Sequence, residues 1–275
     1  MSLNEILASG GALLLFLTLV QITPIKVNPW SAVGKIIRNG MRAIGKSMNK
    51  DVMDKLESVQ KELKDLGEKH NKLETQPISL EWIQEVVRLG RARDYFSEGD
   101  TIDIEFDGEV IQHDIIGIDA EKLVDKSLEH SITIQMHDLV MEERPFDTTG
   151  DYGSNVWETS ELRKYLQSEE FRERYKKLIP YLTKVVKENN SGDDTEDLFF
   201  LLSADEVDPK KTPYKYYEDV TNRQKKNADG ETDYHRLRSA NRGNSCNTWC
   251  VNSSGNVNHD GANWAYRCAP ACTIA

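Results

Sequence analysis

Cys246, Cys250, Cys268 and Cys272 are the chain's four cysteines, set at x3, x17 and x3 spacing near its end. Four thiolates brought to one centre would make a structural zinc site. The spacing argues against it: residues four apart on a strand share a face but stand ~13 Å apart, too far to share one ion without a turn. Disulfides would need an oxidising compartment. Reduced thiols, some buried and some at a surface, are the expectation. The six histidines, His70, His113, His130, His137, His235 and His259, show no ligand spacing, and no nucleophile elbow, phosphate loop or dinucleotide fingerprint occurs. No catalytic residue and no cofactor is expected, and His259-Asp260 reads as a loop pair rather than a dyad.

The other chemistry in this stretch is recognition. From Thr232 onward there is no Lys, Glu, Gln or Met, and between Asn241 and Asn263 seven positions are Asn, set among Ser, Gly, Cys and Thr. Short polar side chains with occasional aromatics give adaptable hydrogen bonding at low ordering cost. A run of β-turns would give the same composition, because Asn and Gly tolerate left-handed backbone angles. The candidate ligand-binding residues are His235, Arg236, Asn241, Arg242, Asn244, Cys246, Asn247, Thr248, Cys250, Asn252, His259, Asp260, Asn263 and Tyr266, on a surface spanning 235–267.

Elements that could position them precede the stretch. Ser79–Leu89 reads as a helix with Ser79 as N-cap and Trp82, Val86 and Leu89 inward. Thr101–Phe106, Gln112–Ile118 and Ser131–Met136 alternate as half-buried strands, with Asp107-Gly108 as a hairpin turn. Helices are expected over 159–167 and 170–179, a buried strand over 198–202, and a long polar loop over 203–232. The fold class is α+β, built on an antiparallel sheet with flanking helices.

The first quarter differs. Between Glu5 and Lys26 lie twenty uncharged residues, enough for a helix to cross ~30 Å of hydrocarbon. Residues 1–25 are therefore expected to be a transmembrane helix. Residues 26–50 are expected to form a basic amphipathic helix at the interface, and 51–76 a short coiled-coil stalk able to support a homo-oligomer. The ligand-binding domain follows at 77–275. Net charge is −11, distributed as −1 over 1–25, +6 over 26–50 and −16 over the remainder. The acidic bulk argues against nucleic acid as a partner, and the basic segment after the span places that bulk in the cytoplasm.

Four motifs occur in order: N-x-W-x-x-S-x-L-R at Asn155–Arg163, L-L-S-x-x-E at Leu201–Glu206, L-R-S at Leu237–Ser239 and A-P-A-x-T-I at Ala269–Ile274. Over residues 78–275 the chain resembles a C-type-lectin-like domain family common in prophages of gut bacteria. Some members resemble the variable target proteins of diversity-generating retroelements, and the fold is similar to that of formylglycine-generating enzymes. The N-terminal span with its I-K-V-N-P-W is similar to membrane-anchored small phage proteins. The resemblance implies a membrane-anchored phage or prophage binding protein with an unknown protein or glycan ligand. It leaves two alternatives: a zinc- or cysteine-dependent enzyme, and a structural virion or membrane protein. Retroelements of this kind substitute at template adenines, so an Asn codon can become any of fifteen residue types but never Lys, Glu, Gln, Met or Trp. The loop obeys that exclusion except at Trp249 and Trp264, which are expected to be fixed residues of the core beneath it. Tyr234-His235-Arg236 departs from the paired aromatics frequent in relatives before L-R-S, which makes His235 and Arg236 candidate variable positions.

Overall fold

The computed structural model describes residues 78–275 together with Ser58, Val59, Lys61, Glu62 and Lys64, which are helical and exposed. The expected span, the interfacial helix and most of the stalk lie outside the described residues. Among the described residues no helix is long and apolar enough to cross a membrane.

Helix α1 (Leu80–Arg88) begins where the Ser79 hydroxyl accepts the Trp82 N–H at 3.2 Å, and it buries Trp82, Ile83, Val86 and Val87. It stops one residue short of expectation. Leu89 is the C-cap and is 41% exposed, because Gly90 turns the chain left-handed (φ +67°) and returns the Gly90 and Arg91 N–H groups to Val87 and Val86. Helices α2 (Ala92–Tyr95), α3 (Glu161–Leu166), α4 (Glu169–Arg174) and α5 (Ala204–Val207) are short. Ser160 and Ser168 cap α3 and α4 by accepting the N–H groups of Arg163 and Phe171.

The strands in chain order are β1 (Thr101–Phe106), β2 (Glu109–Ile118), β3 (Ile132–Met136), β4 (Arg144–Pro145), β5 (Leu182–Thr183), β6 (Val185–Lys187), β7 (Thr195–Asp197) and β8 (Phe199–Phe200). They continue with β9 (Lys225–Lys226), β10 (Thr232–Asp233), β11 (His235–Ala240), β12 (Asn247–Val251), β13 (Val257–Gly261), β14 (Ala265–Tyr266) and β15 (Ala271–Ile274). The main sheet is antiparallel in the order β1-β2-β3-β15-β5, with β8 also paired to β15. Asp107 and Gly108 both take positive φ, 54° and 86°, as the two-residue β1–β2 turn requires. The A-P-A-x-T-I motif supplies β15, every residue of which is buried. A second, three-stranded antiparallel sheet has the order β11-β12-β13. The architecture is thus mixed α and β around a curled antiparallel sheet, within one compact unit, Pro77–Ala275.

Segment 203–232 is not the polar loop the sequence suggests. It folds into α5, 3-10 turns over 215–218 and 220–223, and the β9–β10 pair, and it buries Tyr216, Tyr217, Arg223 and Lys225. These amphipathic side chains place apolar bodies in the interior while their polar tips find partners, as Arg223 does on the carbonyls of Tyr217 and Gly255. One apolar core joins the two sheets: Phe200 and Ala271 of the first cluster with Leu237 and Val251 of the second, and Trp249 packs against them half-buried.

Candidate functional site

The motifs are structural joints, and they converge beneath the Asn-rich stretch. In L-L-S-x-x-E, Ser203 and Glu206 form a reciprocal capping box on α5. The same Glu206 carboxylate takes Arg238 of L-R-S at 2.5 and 3.1 Å and Lys187 at 3.2 Å. Burial would raise the Glu206 pKa, but Arg238 and Lys187 outweigh it and hold the carboxyl well below its usual range. In N-x-W-x-x-S-x-L-R, Trp157 Nε1 and Arg163 Nε both donate to buried Asp197, at 2.9 and 2.7 Å. Asn155, 5% exposed, places its Nδ2 at 3.1, 3.0 and 3.0 Å from the carbonyls of Asn241, Asn244 and Asn247.

The register of β11, β12 and β13 divides the candidate residues between two faces. Arg236, Thr248, Cys250 and Asp260 share one of them. Arg236, 1% exposed, donates to Thr248 Oγ1 at 2.6 Å and to the carbonyls of Gly261 and Trp264 at 3.0 Å, with the Asp260 carbonyl at 3.4 Å. Its guanidinium lies 4.6 Å from the Tyr266 ring centroid, and the Tyr266 hydroxyl donates to Asp260 Oδ2 at 2.7 Å. Tyr234 stacks on Tyr266 at 5.6 Å. On the other face, which farther along carries Val251 into the core, Asn247 and His259 meet at 3.3 Å and Trp249 sits edge-on to His259 at 5.5 Å. Gly261 lies opposite Asn247, and a Cβ there would come within 3.3 Å of Trp264 Cδ1.

This distribution corrects several expectations. His235, Arg236, Thr248 and Cys250 are buried, so none can meet a ligand directly. Asn241, Asn244 and Asn252 are turn formers whose side-chain oxygens accept the N–H groups of Gly243, of Cys246, and of Ser254 and Asn256 respectively. Trp264 is not a core residue: it is 57% exposed, whereas Trp249 is half-buried as expected of a ring under the loop. Arg242, Asn244 and His259 are exposed, Cys246, Asn247, Asp260, Asn263 and Tyr266 are partly so, and Asn263 donates to the Asp151 carbonyl at 3.3 Å beside Tyr152, itself 67% exposed. Asn155, Tyr152 and Asn258, the last exposed on β13 opposite Cys250, are not among the sequence candidates. Asn155 lies in a motif, but its partners are carbonyls some ninety positions away, which no local pattern encodes.

A family model described as a domain of unknown function, DUF6273, matches residues 129–275. The chain belongs to the DUF6273 family. The matched segment starts just before β3 and holds the Asn155 clamp, Arg236 and the whole β11-β12-β13 sheet, leaving β1 and β2 outside it. No curated protein and no solved structure matches the chain.

The cysteines of the DUF6273 segment do not form the four-thiolate zinc site. All are free thiols, and among the described residues no group of three or more His, Cys, Asp or Glu is placed to hold a metal ion. Cys250 faces inward on β12, Cys268 lies 3.9 Å from the Met141 sulfur, and Cys272 is in the central strand β15. Burial pushes the Cys250 thiol up to about 11 and Cys268 to about 12, and raises Cys272 as well. These are inert thiols at neutral pH. His235 is likewise a core group, its pKa pushed down to about 3 chiefly by burial and its Nδ1 without a partner.

Proposed function

We propose that this chain is a membrane-anchored phage or prophage binding protein. In this reading residues 78–275 adopt a C-type-lectin-like fold, and the outer end of β11-β12-β13 with its turns is a display surface diversified by a retroelement. Anchorage is assigned to the apolar run 6–25, with the domain on the cytoplasmic side by charge bias. The observation that carries the display reading is the kind of atom used to hold the loops. Asn155 holds the carbonyls of Asn241, Asn244 and Asn247, and Arg236 holds those of Asp260, Gly261 and Trp264. Every residue type carries a main-chain carbonyl, so the loop path survives changes in the outward side chains. A rigid scaffold beneath exchangeable loop residues is the arrangement that separates fold from recognition.

The test is a surface-displayed library randomised at Arg242, Asn247, Asn258, His259 and Asn263. Most members should resist protease as the parent does, and selection against hen egg lysozyme as an arbitrary probe should yield binders. If randomisation there unfolds the domain as often as randomisation of Asn155 and Arg236, the loop side chains are structural and the reading fails. The retroelement component is tested separately by sequencing the flanking DNA, where a reverse transcriptase and a near-copy of the 3′ end differing at adenines are expected.

A further inference from the structure

Lys225 and Asp114 lie on opposite sides of the join between β9 and the main sheet, and they are among the most deeply buried charged residues of the domain, at 1% and 2% exposure. Lys225 Nζ donates to the carbonyls of Met136 at 2.5 Å and His137 at 3.0 Å. Asp114 Oδ1 accepts from His137 Nδ1 at 2.6 Å. The remaining oxygen, Oδ2, is 3.5 Å from Lys225 Nζ and has no hydrogen-bond partner, although Tyr216 stands beside the carboxyl. A buried ammonium and carboxylate ordinarily close to about 2.7–2.9 Å, because nothing else repays their lost hydration. Here the amine is committed to two carbonyls, and its ion pair with Oδ2 is stretched to 3.5 Å beside the Tyr216 hydroxyl.

We propose that Lys225 and Asp114 condense into a side-chain amide that covalently ties β9 to β2. The C–N bond forms between Lys225 Nζ and Asp114 Cγ, and the bond that breaks is Cγ–Oδ2. Lys225 gives up two of its three ammonium protons, and these leave with Oδ2 as one molecule of water. No oxidant or co-reactant is required. The leaving oxygen is the more loosely held one, whereas Oδ1 stays as the amide carbonyl on His137. In the tetrahedral adduct the His137 N–H is already directed at the oxygen that carries the negative charge, the arrangement that stabilises acyl-transfer intermediates. Burial lowers the Lys225 pKa and so favours the free amine needed for attack, although Asp114 opposes this. The Nζ–Oδ2 separation of 3.5 Å places the amine against the carboxyl that it would attack. The product leaves Nζ one hydrogen, which can serve the Met136 carbonyl, and it removes both the loosely held oxygen and the two buried charges.

The inference goes beyond the display reading and is independent of it. The experiment is the intact mass of the full-length chain, unfolded in acid after purification in the folded state, followed by proteolysis and fragment sequencing. The expected mass is one water below that of the sequence, with a branched peptide joining the segments that carry Asp114 and Lys225. Asp114→Ala and Lys225→Met should each restore the full sequence mass. A wild-type mass equal to that of the sequence overturns the proposal, as does a water loss that fragmentation places at any other pair of residues.

Discussion

Asn155 Nδ2 lies 3.0 Å from the main-chain carbonyl of Asn247, so one buried amide ahead of α3 fixes the start of β12. Asn155→Ala removes the shared amide donor from three loop carbonyls, each of which keeps one main-chain N–H, so the cost is that of the two hydrogen bonds an NH2 group can make, about 1–3 kcal/mol. Asn244→Ser, at an exposed turn whose capping Ser can still make, should cost less than about 0.5 kcal/mol. Urea unfolding of both variants measures the contrast, and equal losses would contradict a clamp at 155.

The exposed Trp264 and the buried Trp157 should separate in melting experiments. Trp264→Ala removes an indole that is 57% exposed and should shift stability by less than about 1 kcal/mol. Trp157→Ala removes a ring 1% exposed and strands Asp197, which should cost about 3–5 kcal/mol. A Trp264 variant as unstable as the Trp157 one would mean that the ring packs inside.

Acid should weaken the domain between pH 7 and pH 5. Burial depresses folded His113 to about 4 and His235 to about 3, from an ordinary value of 6.5. The unfolded chain therefore takes up protons that the folded one refuses. The contribution of these two rings is full above pH 6.5 and is lost as pH falls through that value toward their folded ones. At about 1.4 kcal/mol per unit for each group over roughly 1.5 units, the loss by pH 5 is on the order of 4 kcal/mol, offset in part by His137, whose pKa is raised by its bond to Asp114. Urea midpoints at the two pH values test this, and His235→Gln should remove part of the slope. Coincident midpoints would mean that neither ring is held neutral.

Thiol labelling should be uneven. Cys246 is partly exposed, whereas Cys250, Cys268 and Cys272 are buried with raised pKa values. Ellman's reagent at pH 8 should titrate one thiol quickly in native protein and all four in denaturant. Fast reaction of two or more in the native state would contradict the burial.

Local signals were legible in the sequence where the cause was local. Ser79 starts α1 because its hydroxyl reaches an N–H three residues on, and Asp107-Gly108 turns β1 into β2 because both residues accept positive φ. What failed were judgements about partners far along the chain. Tyr216, Tyr217 and Lys225 read as loop because polarity was taken for exposure, yet Lys225 spends its ammonium on carbonyls nearly ninety positions earlier. At the site, the Asn-rich run was visible, but which side chains face outward depends on the β11–β12 register, and that register shifts between Arg236 and Ala240. A large ring reads as core from type alone, but Trp264 lies outside it because Gly261 leaves room for the indole at the sheet edge.

The placement of β15 governs how the chain can reach this structure. Gln135 bonds to the Ala269 carbonyl across 134 positions, and Thr133 meets Thr273 across 140. The middle strand of the main sheet can thus be added only after a very long loop closes, at an entropic cost that grows with the logarithm of its length. High contact order of this kind makes folding slow, and until β15 docks the inner edge of β3 is unpaired. That bare edge, rich in Ile and Thr, is where a nascent or stalled chain is most exposed to pairing with another copy of itself.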